Sequence, residues 1–196
     1  MLYNNFQDLR LSALGFGTMR LPLLPDGQID QAELDRMVDA AMAAGVNYYD
    51  TAYPYHGSLS EVAIGRSLAR YPRESWYLAT KFPGHQNVHG VKPLLPEEVF
   101  EEQLRKCGVE FFDFYLIHNV NEKSLAYYGN PENRFMDYFV SRKRTAASGT
   151  SASPATPRPR GCSASSISTG SIWSSARSSS TSSTGSCRRR RKSARS

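Results

Sequence analysis

Cysteine is scarce in this chain of 196 residues: Cys107, Cys162 and Cys187 are the full set. They make no C-x-x-C pair and no closely spaced even-numbered group, which argues against a zinc or cluster motif and against a disulfide-stapled secreted fold. Isolated thiols of this kind suit reducing, cytoplasmic surroundings. Long apolar runs are missing too, and none approaches the ~20 residues that a membrane-spanning helix needs. The opening MLYNNFQDLRLSALGFG lacks the basic start and apolar block of a secretory signal. The expectation is a cytoplasmic, soluble protein with no metal site and no membrane association.

A further absence is local. From Thr145 to Ser196 there is no Asp, Glu or His, while 18 of those 52 residues are Ser and nine are Lys or Arg. Up to Arg144, 15 Lys and Arg stand against all 18 Asp and Glu, so this part is mildly acidic and the chain's net +6 belongs to its tail. The sequence therefore divides into a patterned body, residues 1–143, and a low-complexity Ser/Arg-rich tail, residues 144–196.

The body alternates strand and helix signals. Phe6, Leu9 and Leu11 suit a short hairpin, and Ala13–Gly17 reads as a short buried strand. Residues Asp30–Ala44 have helical periodicity, with Asp30 as N-cap and Gly45 as terminator. Strands are expected at Val46–Asp50, Trp76–Thr80 and Phe112–Ile117. Helices are expected at Ser60–Ala69, at Pro96–Cys107 with Pro96 in the first turn and Gly108 at the end, and at Arg134–Lys143. Strands apolar on both faces, each followed by a helix, predict a parallel sheet covered by helices. An open doubly wound sheet and a β/α barrel both fit this order. The polar residues Thr18, Asp50, Lys81 and His118 recur where strands end, which is where barrels carry function, and that regularity favours the barrel. Gly15-Phe16-Gly17 lacks the third glycine and the following helix of a dinucleotide fingerprint.

Taken one at a time, a strand-end His, Lys, Tyr or Asp is usually structural. Convergence on one rim is what gives such residues chemical meaning. Asp50-Thr51-Ala52-Tyr53-Pro54-Tyr55, followed by Gly57, Ser58 and Glu61, resembles the aldo/keto reductase motif D-T-A-x-x-Y-G-x-x-E. Gly15 to Arg20, Ala79-Thr80-Lys81 and Leu116-Ile117-His118-Asn119 resemble that family's first, third and fourth strand ends. The resemblance runs from Leu11 to Lys143, and its wording is similar to a bacterial branch whose members often carry a C-terminal iron–sulfur segment. No such cysteine cluster occurs in this sequence.

The resemblance implies an α/β fold, an incomplete (β/α)8 TIM-type barrel of about four strand–helix units, and hydride transfer between NADP(H) and a small carbonyl or alcohol substrate. It implies a catalytic tetrad of Asp50, Tyr55, Lys81 and His118. Reduction of a carbonyl leaves an alkoxide that needs a proton donor within reach, here Tyr55. An ammonium beside a phenol favours its anion, the role of Lys81, with Asp50 holding Lys81 in place. His118 orients and polarises the carbonyl. The nicotinamide is expected near Gly17, Thr18 and Met19, with Asp50 close to its ribose.

The tail has no hydrophobic periodicity and carries the basic run Arg188–Lys192 near its end, so its composition predicts disorder. A basic tail of this kind could bind nucleic acid through phosphate contacts, giving a non-catalytic alternative function. The genetic code offers another reading. Taken one base early, the codons of Thr145 to Pro154 are compatible with DGGIRHFGFS, close to the family's fifth strand, D-G-K-I-R-x-x-G-F-S. In the same frame, Ser178 to Arg188 is compatible with IQLNFLDWxLQ, close to the branch's sixth-strand Q-L-N-Y-L-D-W. Two matches in one frame and in family order predict a frameshift just after Lys143. The Ser and Gln that hold the nicotinamide amide in the family, and the later loops that bind its phosphates, are then not encoded. A half-barrel of this kind is expected to be weakly active or inactive, and prone to self-association through unpaired sheet edges.

Overall fold

The computed structural model describes residues 1–89 and 94–148. Two strands, β1 (Tyr3–Phe6) and β2 (Leu9–Ser12), pair antiparallel as a hairpin. Then come β3 (Phe16–Gly17), α1 (Gln31–Ala43), β4 (Tyr48–Asp50), α2 (Ser60–Leu68), β5 (Tyr77–Phe82) and α3 (Pro96–Cys107). The series closes with β6 (Phe114–Ile117), a single-turn α4 (Leu125–Tyr128) and α5 (Phe135–Ser148).

Local chemistry explains the helix ends. The Asp30 carboxylate accepts the Glu33 N–H, satisfying one of the orphan donors of the first turn of α1. Gly45, at φ +84°, takes the left-handed turn that stops the helix. Pro96 opens α3 and Gly108, at φ +65°, closes it. Helix α5 runs to Ser148, beyond the expected limit at Lys143.

Strands β3, β4, β5 and β6 form one parallel sheet in that order, with Gly17 opposite Asp50, Asp50 opposite Ala79, and Lys81 opposite Leu116. A doubly wound sheet reverses its strand order partway, whereas this one advances by one neighbour at every step, as a barrel wall does. Helix α1 packs on α2, α2 on α3 and α3 on α5, forming one outer layer. The four strand–helix units expected from the sequence are thus present among the described residues.

Strand residues alternate between the two faces. Tyr49 and Leu78 point to the helices and join Leu34, Val38, Ile64 and Leu68 in an aliphatic core. Under α3 and α5 the core is aromatic instead, built on Phe82, Phe100, Tyr115, Phe135 and Phe139. On the opposite, inner face, Phe114 meets Tyr48 at 5.3 Å and Tyr77 at 6.5 Å between ring centroids. The hairpin covers this end: Phe6 lies 5.8 Å from Phe114, and the Asn47 side chain bonds the backbone of Arg10 and Ser12. The N-terminal mouth of the sheet is therefore plugged by rings.

No helix among the described residues is long and apolar enough to cross a membrane. Cys107 is buried with a free thiol. The other two cysteines, the basic run Arg188–Lys192 and almost all of the segment expected to be disordered lie outside the described residues.

Candidate active site

At the C-terminal ends of the strands the side chains become polar. Asp50 is the last residue of β4, and Lys81 stands one residue before the end of β5. Because Asp50 pairs with Ala79 and parallel neighbours alternate faces together, Lys81 emerges on the same inner face as Asp50. Its ammonium donates to Asp50 Oδ1 at 2.6 Å and to the Thr51 carbonyl at 2.8 Å. A third, longer contact of 3.5 Å reaches the Tyr55 hydroxyl.

Tyr55 comes from the turn between β4 and α2. There His56, Gly57 and Ser58 have positive φ of 51°, 60° and 72°, a sharp reversal in which two of the three residues are not glycine. Two hydrogen bonds hold the reversal. The Ser60 N–H donates to the Tyr55 carbonyl at 3.2 Å, and the Leu21 N–H donates to His56 Nε2 at 2.9 Å. The tyrosine ring is thereby turned back over Lys81, whose nitrogen is 5.0 Å from the ring centroid.

His118 follows β6 directly, and its N–H continues the ladder to the Phe82 carbonyl at 3.0 Å. Its ring stands edge-on to Tyr55, with centroids 5.6 Å apart, and edge-on to His85 at 4.8 Å. Burial, helped by the nearby Lys81 ammonium and by His85, holds the imidazole down at about 4, so it is neutral at ordinary pH. Among the described residues its buried Nδ1 finds no hydrogen-bond partner. An orphaned acceptor is more tolerable than an orphaned N–H. An unpartnered Nδ1 favours the neutral tautomer with its proton on Nε2, a hydrogen-bond donor. All four predicted tetrad residues thus converge on one mouth.

The expected cofactor-side residues separate by exposure. Gly17 is exposed, with open space where a Cβ would stand, and Met19 is 61% exposed. Thr18 is fully buried. Its N–H and hydroxyl both donate to the Asp50 carbonyl, at 2.9 and 3.0 Å, and Ser60 Oγ lies 2.7 Å from Thr18 Oγ1. Thr18 thus ties the β3 loop to Asp50, while Gly17, opposite Asp50 in the sheet, and Met19 are exposed.

A second buried network backs Lys81. Glu61, on α2, is fully buried and accepts from the Thr80 hydroxyl at 2.7 Å and from Gln103 Nε2 at 2.6 Å. Gln103 also donates to the Lys81 carbonyl at 3.2 Å and accepts from the Tyr115 hydroxyl at 2.6 Å. Burial raises the Glu61 carboxyl, although these hydrogen bonds and Lys106 pull the other way. Sequence reasoning quoted Glu61 within a motif but assigned no role to Gln103, His85 or Tyr128. A signal existed for Gln103, since it falls on the buried face of α3 with Val99, Phe100, Leu104 and Cys107. Among the described residues, no group of three or more His, Cys, Asp or Glu converges in a metal-holding arrangement.

Comparison with known proteins places this geometry in context. The model of the Aldo/keto reductase family matches residues 13–130. An NADH-specific methylglyoxal reductase of Escherichia coli (strain K12) is 30% identical over 129 residues, covering 57% of this chain and 39% of that protein. The solved structure of an aldo-keto reductase from Bacillus halodurans, in its holo form, is 28% identical with a TM-score of 0.54, covering 70% of this chain and 44% of that one. An aldo-keto reductase from Klebsiella pneumoniae in complex with NADPH shares the fold at 19% identity and a TM-score of 0.51, covering 68% and 43%. This chain therefore spans well under two thirds of the length of each.

Proposed function

This chain belongs to the aldo/keto reductase family, and on that premise we propose that its mouth is the tetrad half of a reductase site that moves hydride between NADP(H) and a small carbonyl or alcohol. The observation that carries this reading is the meeting of Tyr55, Lys81, Asp50 and His118 at one end of a parallel sheet, with the Lys81 ammonium bridging acid and phenol. A bound nicotinamide supplies the hydride. The open surface at Gly17, which pairs with Asp50 in the sheet, and the exposed Met19 two residues on support placing the nicotinamide end of such a cofactor there.

The chain's own residues do the rest. His118 Nε2–H holds the substrate oxygen and polarises the carbonyl. Tyr55 is placed to give its hydroxyl proton to that oxygen, so that the reduced carbonyl would leave as the alcohol. The ammonium of Lys81 steadies the phenolate left behind, and Asp50 keeps that ammonium in place. Thr18 and Ser60 keep the β3 loop against Asp50.

The remaining cofactor contacts belong, in this reading, to strands five to eight, encoded in the alternative frame after Lys143. Sequencing the locus tests that part: an intact alternative frame is expected, and early stop codons in it defeat the idea. In the chain read through that frame, Tyr55→Phe is expected to lower kcat by about 10²–10⁴-fold while leaving NADPH binding, followed by fluorescence, nearly unchanged. Retained turnover would remove Tyr55 as the acid.

A further inference from the structure

His118 is useful as a donor only if its ring is aimed, yet among the described residues its own Nδ1 finds no partner to aim it. In many enzymes a catalytic imidazole is oriented by a hydrogen bond to its second nitrogen. Here that means is missing, and the restraint must act on the backbone. The side chain that reaches this backbone is Tyr128, the last residue of α4. Its hydroxyl donates to the His118 carbonyl at 2.6 Å and accepts the His85 N–H at 2.8 Å, with the Phe82 carbonyl at 3.5 Å.

We propose that Tyr128 is a positioning residue for His118, its hydroxyl clasping the chain just beyond β5 and β6 so that the imidazole stands edge-on to Tyr55. The inference rests on the reductase reading for the importance of His118, but not for the clasp itself. Four observations support it. The chain turns sharply after His118, with Asn119 at φ +55°, so a small backbone rotation there would swing the ring. Gly84 has no room for a side chain, since a Cβ would come within 2.7 Å of both the Tyr127 and Tyr128 rings; the loop after β5 is thus shaped to admit Tyr128. Burial pushes the Tyr128 phenol up, so it remains a donor throughout the working pH range. The aromatic contact between His118 and His85 at 4.8 Å joins the two segments that the hydroxyl ties.

Aim matters because a donor displaced by about 1 Å can cost on the order of 10²-fold in rate. The test uses the full chain with ¹⁵N-labelled histidine, its four imidazoles followed by long-range ¹H–¹⁵N spectra across pH and His118 assigned through His118→Asn. In the unmodified chain His118 is expected to stay a single neutral tautomer above about pH 5 and to titrate with a midpoint near 4. Tyr128→Phe keeps the ring and removes only the hydroxyl. It is expected to broaden the His118 signal and move its titration up toward the free histidine value, with little change in Tm. Gly84→Ala, which pushes the same ring away, should do likewise. Tyr127→Phe, a neighbouring hydroxyl outside the clasp, should leave His118 unchanged.

Identical His118 spectra in Tyr128→Phe and the unmodified chain would overturn the inference, as would an equal change in Tyr127→Phe. In the form read through the alternative frame, Tyr128→Phe is further expected to lower kcat about 10-fold or more with KM nearly constant. An unchanged kcat there also counts against it. Failure of the reductase reading looks different: turnover would survive Tyr55→Phe whatever the His118 spectra show.

Discussion

Two ion pairs of equal length sit at opposite ends of the same sheet: Arg73–Asp113 at the N-terminal end and Lys81–Asp50 at the C-terminal end, each 2.6 Å. Their surroundings differ. The Arg73 guanidinium is stacked 4.2 Å from the Trp76 ring and 4.1 Å from the Phe111 ring, and Asp113 also accepts the Leu78 N–H at 2.8 Å. The guanidinium also donates to the Trp76 and Phe111 carbonyls at 2.9 and 3.4 Å, and burial pushes the Asp113 carboxyl up despite Arg73. The Lys81 ammonium instead keeps a long contact to a phenol that faces the mouth. The lower pair closes a structure, whereas in the proposed reductase site the upper pair holds a charge ready for a reacting group. In a barrel the two ends of the strands divide labour in this way.

The largest expected effect lies at the closed end. Asp113→Ala strands the guanidinium between two rings and leaves the Leu78 N–H without its acceptor. A loss of about 3–5 kcal/mol in urea unfolding is expected, as for other buried pairs broken on one side. A loss under about 1 kcal/mol would show that this pair resembles the upper one after all.

His118 sharpens the contrast through pH. Its folded value of about 4 lies below the ordinary 6.5, so the unfolded chain binds the proton more readily between those limits. Stability linked to His118 is therefore complete above about pH 6.5 and is lost as pH falls toward 4. His118→Asn removes this loss. Relative to the unmodified chain it should gain up to about 3 kcal/mol between pH 7 and pH 4, a difference in which Glu61 and Asp113 cancel. A pH-independent difference would mean that the imidazole is not held in the dry pocket described.

How much of this was readable beforehand follows from what is local. Asp30, Gly45, Pro96 and Gly108 act within a turn of their own helix, so the ends of α1 and α3 were legible from sequence. Strand lengths were less so, because pairing partners set them. The first strand was expected from Ala13, but only Phe16–Gly17 joins the sheet. Ala13 and Ser12 are claimed by the hairpin side, through Leu2 and Asn47. Conversely, β5 extends to Phe82 because β6 offers Leu116 and Ile117 as partners. The tetrad positions were named through family resemblance, and their strand-end spacing agreed with it. Tyr128 was not legible: it reaches the Phe82 carbonyl from 46 residues away, and no local pattern marks such a contact.

Asp50→Asn tests the open end. Lys81 would keep the Thr51 carbonyl and gain access to water at the mouth, so the expected cost in stability is only about 1 kcal/mol or less. Turnover in the form read through the alternative frame should nonetheless fall by at least about 10²-fold, because the ammonium loses the anchor that holds it beside Tyr55. A large stability loss with little effect on rate would invert the comparison.

The smallest effect belongs to a third pair, and it decides what the other two have in common. Arg142 and Glu101 lie 3.0 Å apart across α5 and α3, with side chains 43% and 48% exposed. The separation is hardly longer than in the two sheet-end pairs, so distance alone would rank the three as equals. Solvent decides otherwise. Water already solvates both partners, salt screens them, and ordering two long side chains costs most of what the contact returns. Glu101→Gln should therefore change stability by less than about 0.5 kcal/mol, and 1 M salt should remove even that. A larger, salt-resistant loss would mean that charge separation, rather than the burial and occupation of each charge's neighbours, sets the worth of a pair in this protein. The division between its closed and open ends would then lose its physical basis.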